Sequence, residues 1–289
     1  MRPLLSASLA AVVLLPTGTW RCEPSPPRVG TDVAAITTED TAVFLPAVGP
    51  SVELHAGGPG TARLHSVDVS ADGRRAWVTE CCEPVWGQWW EIDVGAGPID
   101  PLPRPGYGFD LDDEGTTIAS LGFYEVAVRD VHGTVIVAAD LMPFDRDPWD
   151  LAWVAPDRLA VIELARTDDD GLEFRLVTTD SRLTSYETAT GALIASGIDR
   201  PWPRLAGTDE AGRILVLRPD PRDEATRYLE AYDGATLTRA LSADVELPGR
   251  ATWAWVEAGH VLWIDRHERL HVDGERVPGR YTWARPTGQ

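Results

Sequence analysis

An all-β fold, a β-propeller of six four-stranded blades, is what the sequence predicts, and three observations predict it. Beyond the N-terminal segment no long helical period occurs. Short alternating or wholly apolar runs are cut by Gly, Pro and Asp, the pattern of strands and tight turns. A strand–turn–strand landmark recurs along the chain. A second landmark, an alternating strand that ends in an acidic turn, falls between its copies.

The first landmark opens weakly at Val33-Ala-Ala-Ile36 followed by Ala42-Val-Phe-Leu45. It is clearer at Val67-Asp-Val-Ser-Ala-Asp-Gly73 with Ala76-Trp-Val78, and at Phe109-Asp-Leu-Asp-Asp-Glu-Gly115 with Thr117-Ile-Ala119. It returns as Trp149-Asp-Leu-Ala-Trp153 with Leu159-Ala-Val-Ile162, and as Arg204-Leu-Ala206 with Ile214-Leu-Val-Leu217. The last copy is Trp253-Ala-Trp-Val256 with Val261-Leu-Trp-Ile264. Aligning Asp68, Asp110, Asp150, Arg204 and Ala254 gives spacings of 42, 40, 54 and 50 residues.

The second landmark reads Val52-Glu-Leu-His55, Glu91-Ile-Asp93, Val128-Arg-Asp130, Ser185-Tyr-Glu187, Ala231-Tyr-Asp233 and His271-Val-Asp273. Interleaved with the first, it gives each unit about four strands, and units of roughly 40–50 residues with four strands are propeller blades. One blade cannot bury its own faces, whereas a closed ring of them can. Tyr281-Thr-Trp283 is placed to close that ring against the N-terminal segment. Seven blades or an incomplete ring are the alternatives.

Ser70-Ala-Asp-Gly-Arg-Arg-Ala-Trp-Val78 resembles the inner strand and turn of TolB-like and WD-repeat-like propellers. Glu80-Cys-Cys-Glu-Pro84 in that setting looks like secreted propellers of high-GC Gram-positive bacteria. Gly-His and Trp-Asp pairs do not recur as they do in true WD repeats. The resemblance spans most of residues 32–289, is specific in the second unit alone, and implies a fold rather than an activity.

Met1 and Arg2 followed by the apolar run Leu4–Leu15 read as a secretory signal peptide, because the run is shorter than the ~20 residues a bilayer requires. The expected organisation is a signal peptide over 1–21, a Pro-rich tether over 22–31, and one propeller domain over 32–289. Secretion, with no transmembrane segment after cleavage, is the expected destination, and lipid anchoring through Cys22 is the alternative. The formal net charge is −19, and such a surface repels nucleic-acid phosphates. The chain contains neither Lys nor Asn, which excludes a Lys Schiff base and any Asn ligand.

In a propeller the loops after second strands and the loops between blades open on one face, and the long, unusual segments of this chain all fall there. Loops on a rigid scaffold carry function. Asp68, Asp110, Asp150 and Arg204, at the inner strands, are the candidate binding residues of the channel mouth. Trp86, Tyr107 and Trp202 are the candidates of the loop face. Three carboxylates at a mouth would suit Ca²⁺, which takes oxygen ligands, although Asp at such a place also serves purely to bond neighbouring strand amides. No cofactor is therefore expected, with calcium the one cation that remains open.

His267-Glu-Arg-Leu-His271 matches the spacing of zinc proteases, but that spacing works only on a helix, where both imidazoles share a face. Here it runs from a turn into an alternating strand, so no zinc is expected. Asp110-x-Asp112-x-Glu114-Gly115 begins like a calcium loop, yet Leu121 stands at its closing position, which makes it a turn. No Gly-x-Ser-x-Gly or phosphate-cradling glycine loop occurs. The 12 Trp suggest sugar stacking, but Trp77, Trp153, Trp255 and Trp263 sit inside strands, where they are core. The expected function is a non-catalytic binding or scaffold module at the cell envelope, monomeric, with a protein or glycan ligand. An enzyme of hydrolase or lyase type at the channel mouth is the rival, and a glycan-binding module the third reading.

An export signal puts the three cysteines in an oxidising compartment. A vicinal Cys81–Cys82 bridge would stiffen the loop that presents Trp86; a bridge from Cys22 to either would pin the tether; otherwise both are small buried thiols. Thiol counting and peptide mapping on unreduced secreted protein are expected to find Cys81 and Cys82 joined. Free thiols at both positions would remove the idea of a rigid recognition loop.

Overall fold

The computed structural model describes residues 30–57, 63–70, 72–81, 89–102, 108–112, 117–121, 126–130, 135–139, 146–169, 173–188, 193–198, 203–220, 223–240, 247 and 251–287. The first landmark forms β1 (Val33–Thr37) and β2 (Thr41–Leu45), and the second begins β3 (Val52–Ala56). Burial follows depth in the sheet. Val33 to Ile36 are all buried, because a strand covered on both faces reads as a continuous apolar run; β3 exposes Glu53 while burying Leu54.

The same hairpin logic repeats. One sheet holds β4 (Arg63–Val69), β5 (Arg75–Cys81), β6 (Trp89–Asp93) and β7 (Gly97–Leu102). The next holds β8 (Gly108–Leu111), β9 (Thr117–Leu121), β10 (Val126–Asp130) and β11 (Val135–Ala139). It is followed by β12 (Arg146–Ala155), β13 (Arg158–Asp169), β14 (Glu173–Glu187) and β15 (Leu193–Ile198). Then come β16 (Arg204–Thr208), β17 (Ile214–Asp220) and β18 (Asp223–Tyr232). The last group is β19 (Ala251–Glu257), β20 (His260–Asp265), β21 (Leu270–Val272) and β22 (Glu275–Arg276). Asp273 and Gly274 join β21 to β22 with φ of 50° and 85°, the left-handed pair that a two-residue hairpin loop needs. Among the described residues there is no helix.

The C-terminal strand β23 (Tyr281–Pro286) returns to the first sheet. It pairs antiparallel with β1, Ala34 opposite Arg285 and Ala35 opposite Ala284, giving the order β23-β1-β2-β3. The expected closing role of Tyr281-Thr-Trp283 is therefore met, and the innermost strand of the first sheet comes from the end of the chain. The first strands also touch in sequence: β1 against β4, then β4–β8, β8–β12, β12–β16, β16–β19 and β19–β23, a complete circuit.

Faces between consecutive sheets are apolar. Ile36 and Phe44 meet Val67 and Val78; Trp77 meets Phe109, Leu111 and Ile118; Ala119 and Val128 meet Leu151 and Val161; Leu215 and Leu229 meet Ala254 and Trp263. A seven-stranded sheet departs from the expected four. It arises because one parallel bridge, Gly207 opposite Val256, joins the antiparallel groups β16–β18 and β19–β22. A Cβ at Gly207 would lie 2.0 Å from the Val256 carbonyl oxygen, and its φ of 82° is left-handed, so only glycine permits this approach.

Removing residues 281–289 should leave the first sheet without its innermost strand. The truncated chain is expected to lose the cooperative thermal transition of the full chain, followed by circular dichroism. An unchanged melting curve would show that the ring does not depend on this closure.

Candidate functional site at the channel

The inner strands turn one edge to the central channel, and their unpaired amides need acceptors. Aspartates supply them, each reaching the next sheet. Asp40 accepts from Leu64 N–H at 2.9 Å, Asp68 from Leu111 N–H at 3.4 Å, Asp110 from Trp153 N–H, and Asp150 from Leu205 N–H at 2.9 Å. Asp68 and Asp150 also accept from the amides that follow them, Val69 and Leu151.

Arg285, from β23, lies buried at the centre of this arrangement. Its guanidinium donates to Asp68 at 3.2 Å, pairs with Asp110, stands 3.7 Å from Glu257, and stacks 4.6 Å from the Trp255 ring centroid. The Trp255 indole N–H donates to Glu257 at 2.8 Å, which fixes that carboxylate. Burial pushes the Arg285 pKa down and the Asp68 charge pushes it back up; an arginine so surrounded stays a cation.

The sequence alignment treated Asp68, Asp110, Asp150 and Arg204 as one ring at the starts of inner strands. The register separates them. Asp68 and Asp110 pair with Trp77 and Ala119, close to their turns, whereas Asp150 and Arg204 pair with Ile162 and Leu217, two residues farther from theirs. A one-residue irregularity lies between each of these two and its turn, at Trp153/Ala155 in β12 and Leu205/Thr208 in β16. Asp68 and Asp110 therefore belong to the Arg285 centre, and a guanidinium holds the place a cation would take between them. Asp150 and Arg204 lie one pleat nearer the loop face.

There they line a cavity of about 310 Å³ together with His65, Trp149, Trp253 and Trp283; Arg285 forms part of its lining as well. The Arg204 guanidinium stacks over Trp149 at 4.3 Å. The Trp253 and Trp283 rings lie 6.0 Å apart at 37°, and the Trp253 indole N–H donates to the Ala284 carbonyl at 2.9 Å. Burial pushes the Asp150 carboxyl up, opposed by Arg204 and by the two amides it accepts. His65 is exposed on the channel side, yet the protein packed around its ring desolvates it and Arg204 repels its proton, so its pKa falls to about 4. The imidazole is neutral at physiological pH.

Sequence reasoning missed Arg285, His65 and three of these Trp. Nothing local distinguishes Arg285 from other arginines; its role follows from the return of the C-terminal strand. Trp86, Tyr107, Trp202 and Cys82 lie outside the described residues, as does the Cys81 side chain, whose backbone ends β5 opposite Arg63. Trp77, Trp255 and Trp263 are buried as expected, and Trp153 is half-buried. His267 sits in the turn after β20, while His271, in β21, stacks on Trp263 at 3.8 Å and 5°. The two imidazoles do not share the helical face that the zinc-protease spacing requires. Among the described residues, no three His, Cys, Asp or Glu side chains group as metal ligands.

No protein-family model matches the chain, and no curated protein matches it in sequence. Solved structures do. It is similar to a chain of a mitotic checkpoint complex at 14% identity and a TM-score of 0.53, covering 96% of this chain and 99% of that one. It is also similar to the luciferin-regenerating enzyme, at 11% identity and 0.51, covering 78% and 76%. The WD40 β-propeller domain of Doa1 aligns at 11% identity and 0.48, covering 85% and 90%. The fold is a β-propeller. At these identities the likeness concerns the fold alone.

Replacing Arg285 by Ala should strand buried carboxylates and cost about 3–5 kcal/mol of stability in urea unfolding. The combination Arg285→Met, Asp68→Asn, Asp110→Asn should recover much of that, since it removes the charge of the two buried carboxylates and keeps oxygen acceptors for the amides. A loss below about 1 kcal/mol in the single variant, the range of an exposed ion pair, would show that the centre is not desolvated.

Proposed function

We propose that this chain is a secreted, non-catalytic propeller of six blades, acting as a binding or scaffold module at the cell envelope through its loop-rich face. The six antiparallel groups among the described residues, linked in one circuit, support the blade count. One observation supports a binding role over a hydrolytic one. Asp68, Asp110 and Asp150, the carboxylates a hydrolase or lyase would draw on, are each bonded to an amide of the next sheet, and two of them also hold Arg285. A group fixed as an acceptor for the scaffold is poorly placed to exchange protons with a substrate.

The open chemistry lies instead at the loop-side cavity, where indole, imidazole and guanidinium groups converge, the usual make-up of a recognition site. The N-terminal apolar run supports export. Among the described residues no helix is long and apolar enough to cross a membrane. The acidic surface, with a net charge of −19, disfavours phosphate polymers as partners.

Purified mature protein should sediment with isolated cell-envelope fractions of a high-GC Gram-positive bacterium. Retention is expected to fall by at least about tenfold in a Trp86→Ala, Trp202→Ala double variant that keeps its circular dichroism spectrum, because aromatic anchors dominate interfaces. Folded protein that is not retained, or retention indifferent to these changes, would overturn the reading.

A further inference from the structure

The cavity on the loop side combines features that the scaffold does not use. Among the described residues Arg204 makes no ion pair with a carboxylate within 4 Å; its guanidinium stacks on the Trp149 face, and its charge reaches Asp150 at longer range. It differs in this from Arg285, whose charge is met from three sides. His65 makes no hydrogen bond among the described residues and is neutral, a donor at one ring nitrogen and an acceptor at the other. Beside them stand the tilted indoles of Trp253 and Trp283, both half-buried, with the Trp253 N–H already committed.

We propose that this mouth binds a small monocarboxylate carried on a single six-membered ring, the carboxylate on Arg204 and a face of the ring against Trp253 and Trp283. Guanidinium offers a planar fork that matches a carboxylate, and its stack on Trp149 holds the fork in place before the ligand arrives. Indole faces accept the apolar face of a sugar or an aromatic ring. Asp150, at the same level, admits one negative group on Arg204 and disfavours a dianion. The net charge of −19 works in the same direction against polyanions. A cavity of about 310 Å³ is at the small end of ligand sites, which limits the occupant to a single ring.

The inference deepens the binding-module reading, but its test does not involve the envelope. Isothermal titration of the full folded chain would use glucuronate, benzoate and uncharged glucose as probes. Saturable binding is expected for glucuronate, benzoate or both, with glucose at least about tenfold weaker, the usual worth of a charge-assisted bond. Glucuronate alone would assign the source to acidic sugars, and benzoate alone to aromatic acids. Arg204→Gln should weaken binding by about tenfold or more, and Trp283→Ala should do the same, while far-UV dichroism stays unchanged. Absence of saturable binding by either acid, equal binding of glucose, or indifference to Arg204→Gln would each overturn the proposal. Envelope retention without carboxylate binding would sink this inference alone, and carboxylate binding without retention would sink the envelope reading alone.

Discussion

The rest of this structure depends on how the inner strands meet across the channel. A sheet edge leaves amides without partners, and a ring of blades turns such an edge inward from every sheet, where neither a further strand nor bulk solvent satisfies it fully. Here the solution is an aspartate on each of four successive sheets whose carboxylate accepts from the first strand of the next: Asp40 to Leu64, Asp68 to Leu111, Asp110 to Trp153, Asp150 to Leu205. The remaining joints use other means. Gly207 lets β16 bridge directly to β19, and the Trp253 indole donates to Ala284 of β23. Each joint fixes the angle between neighbouring sheets, so the joints together fix the ring.

Carboxylates brought so close create a charge problem, which Arg285 answers. Asp68 and Asp110 are buried, and burying a charge without a partner is costly. The cation comes from the strand that closes the ring, so closure and neutralisation are one event. Until β23 docks on β1, Asp68 and Asp110 lack their counter-charge. Once it docks, Trp255 and Glu257 hold the guanidinium from the other side. An open ring is thereby disfavoured twice, by an exposed sheet edge and by unpaired carboxylates.

Much of this was legible in the sequence, and the reason is periodicity. Apolar runs such as Val33–Ile36 and Ile214–Leu217 fall where strands are buried on both faces, and acidic turns such as Asp273-Gly274 sit where hairpins reverse. The aspartates recur as a set in the sequence, and the acceptor role that Asp can play toward neighbouring strand amides is the one they fill. Their level in the channel was not legible. Asp150 and Arg204 pair two positions farther from their hairpin turns than Asp68 and Asp110 do, with a one-residue irregularity between each and its turn, and spacing from blade to blade does not register where in the hairpin a residue pairs. Arg285 was hidden for a different reason, because its partners lie some two hundred residues away and only closure of the ring brings them together.

The same offset separates the Arg285 centre from the recognition surface. Had all four groups stood at one level, Arg204 would have been drawn into the carboxylate cluster, and the channel would have been sealed by ion pairs throughout. Two positions farther out, Arg204 stacks on Trp149 rather than pairing closely with a carboxylate, and its charge faces a cavity lined by indoles, a neutral imidazole and Asp150. The deep cation is spent on holding the ring, and the shallow one stays available. The two levels are still joined, because Asp150 and Trp253 at the mouth also bond the next sheet, at Leu205 and Ala284, and Arg285 lines the floor of the same cavity.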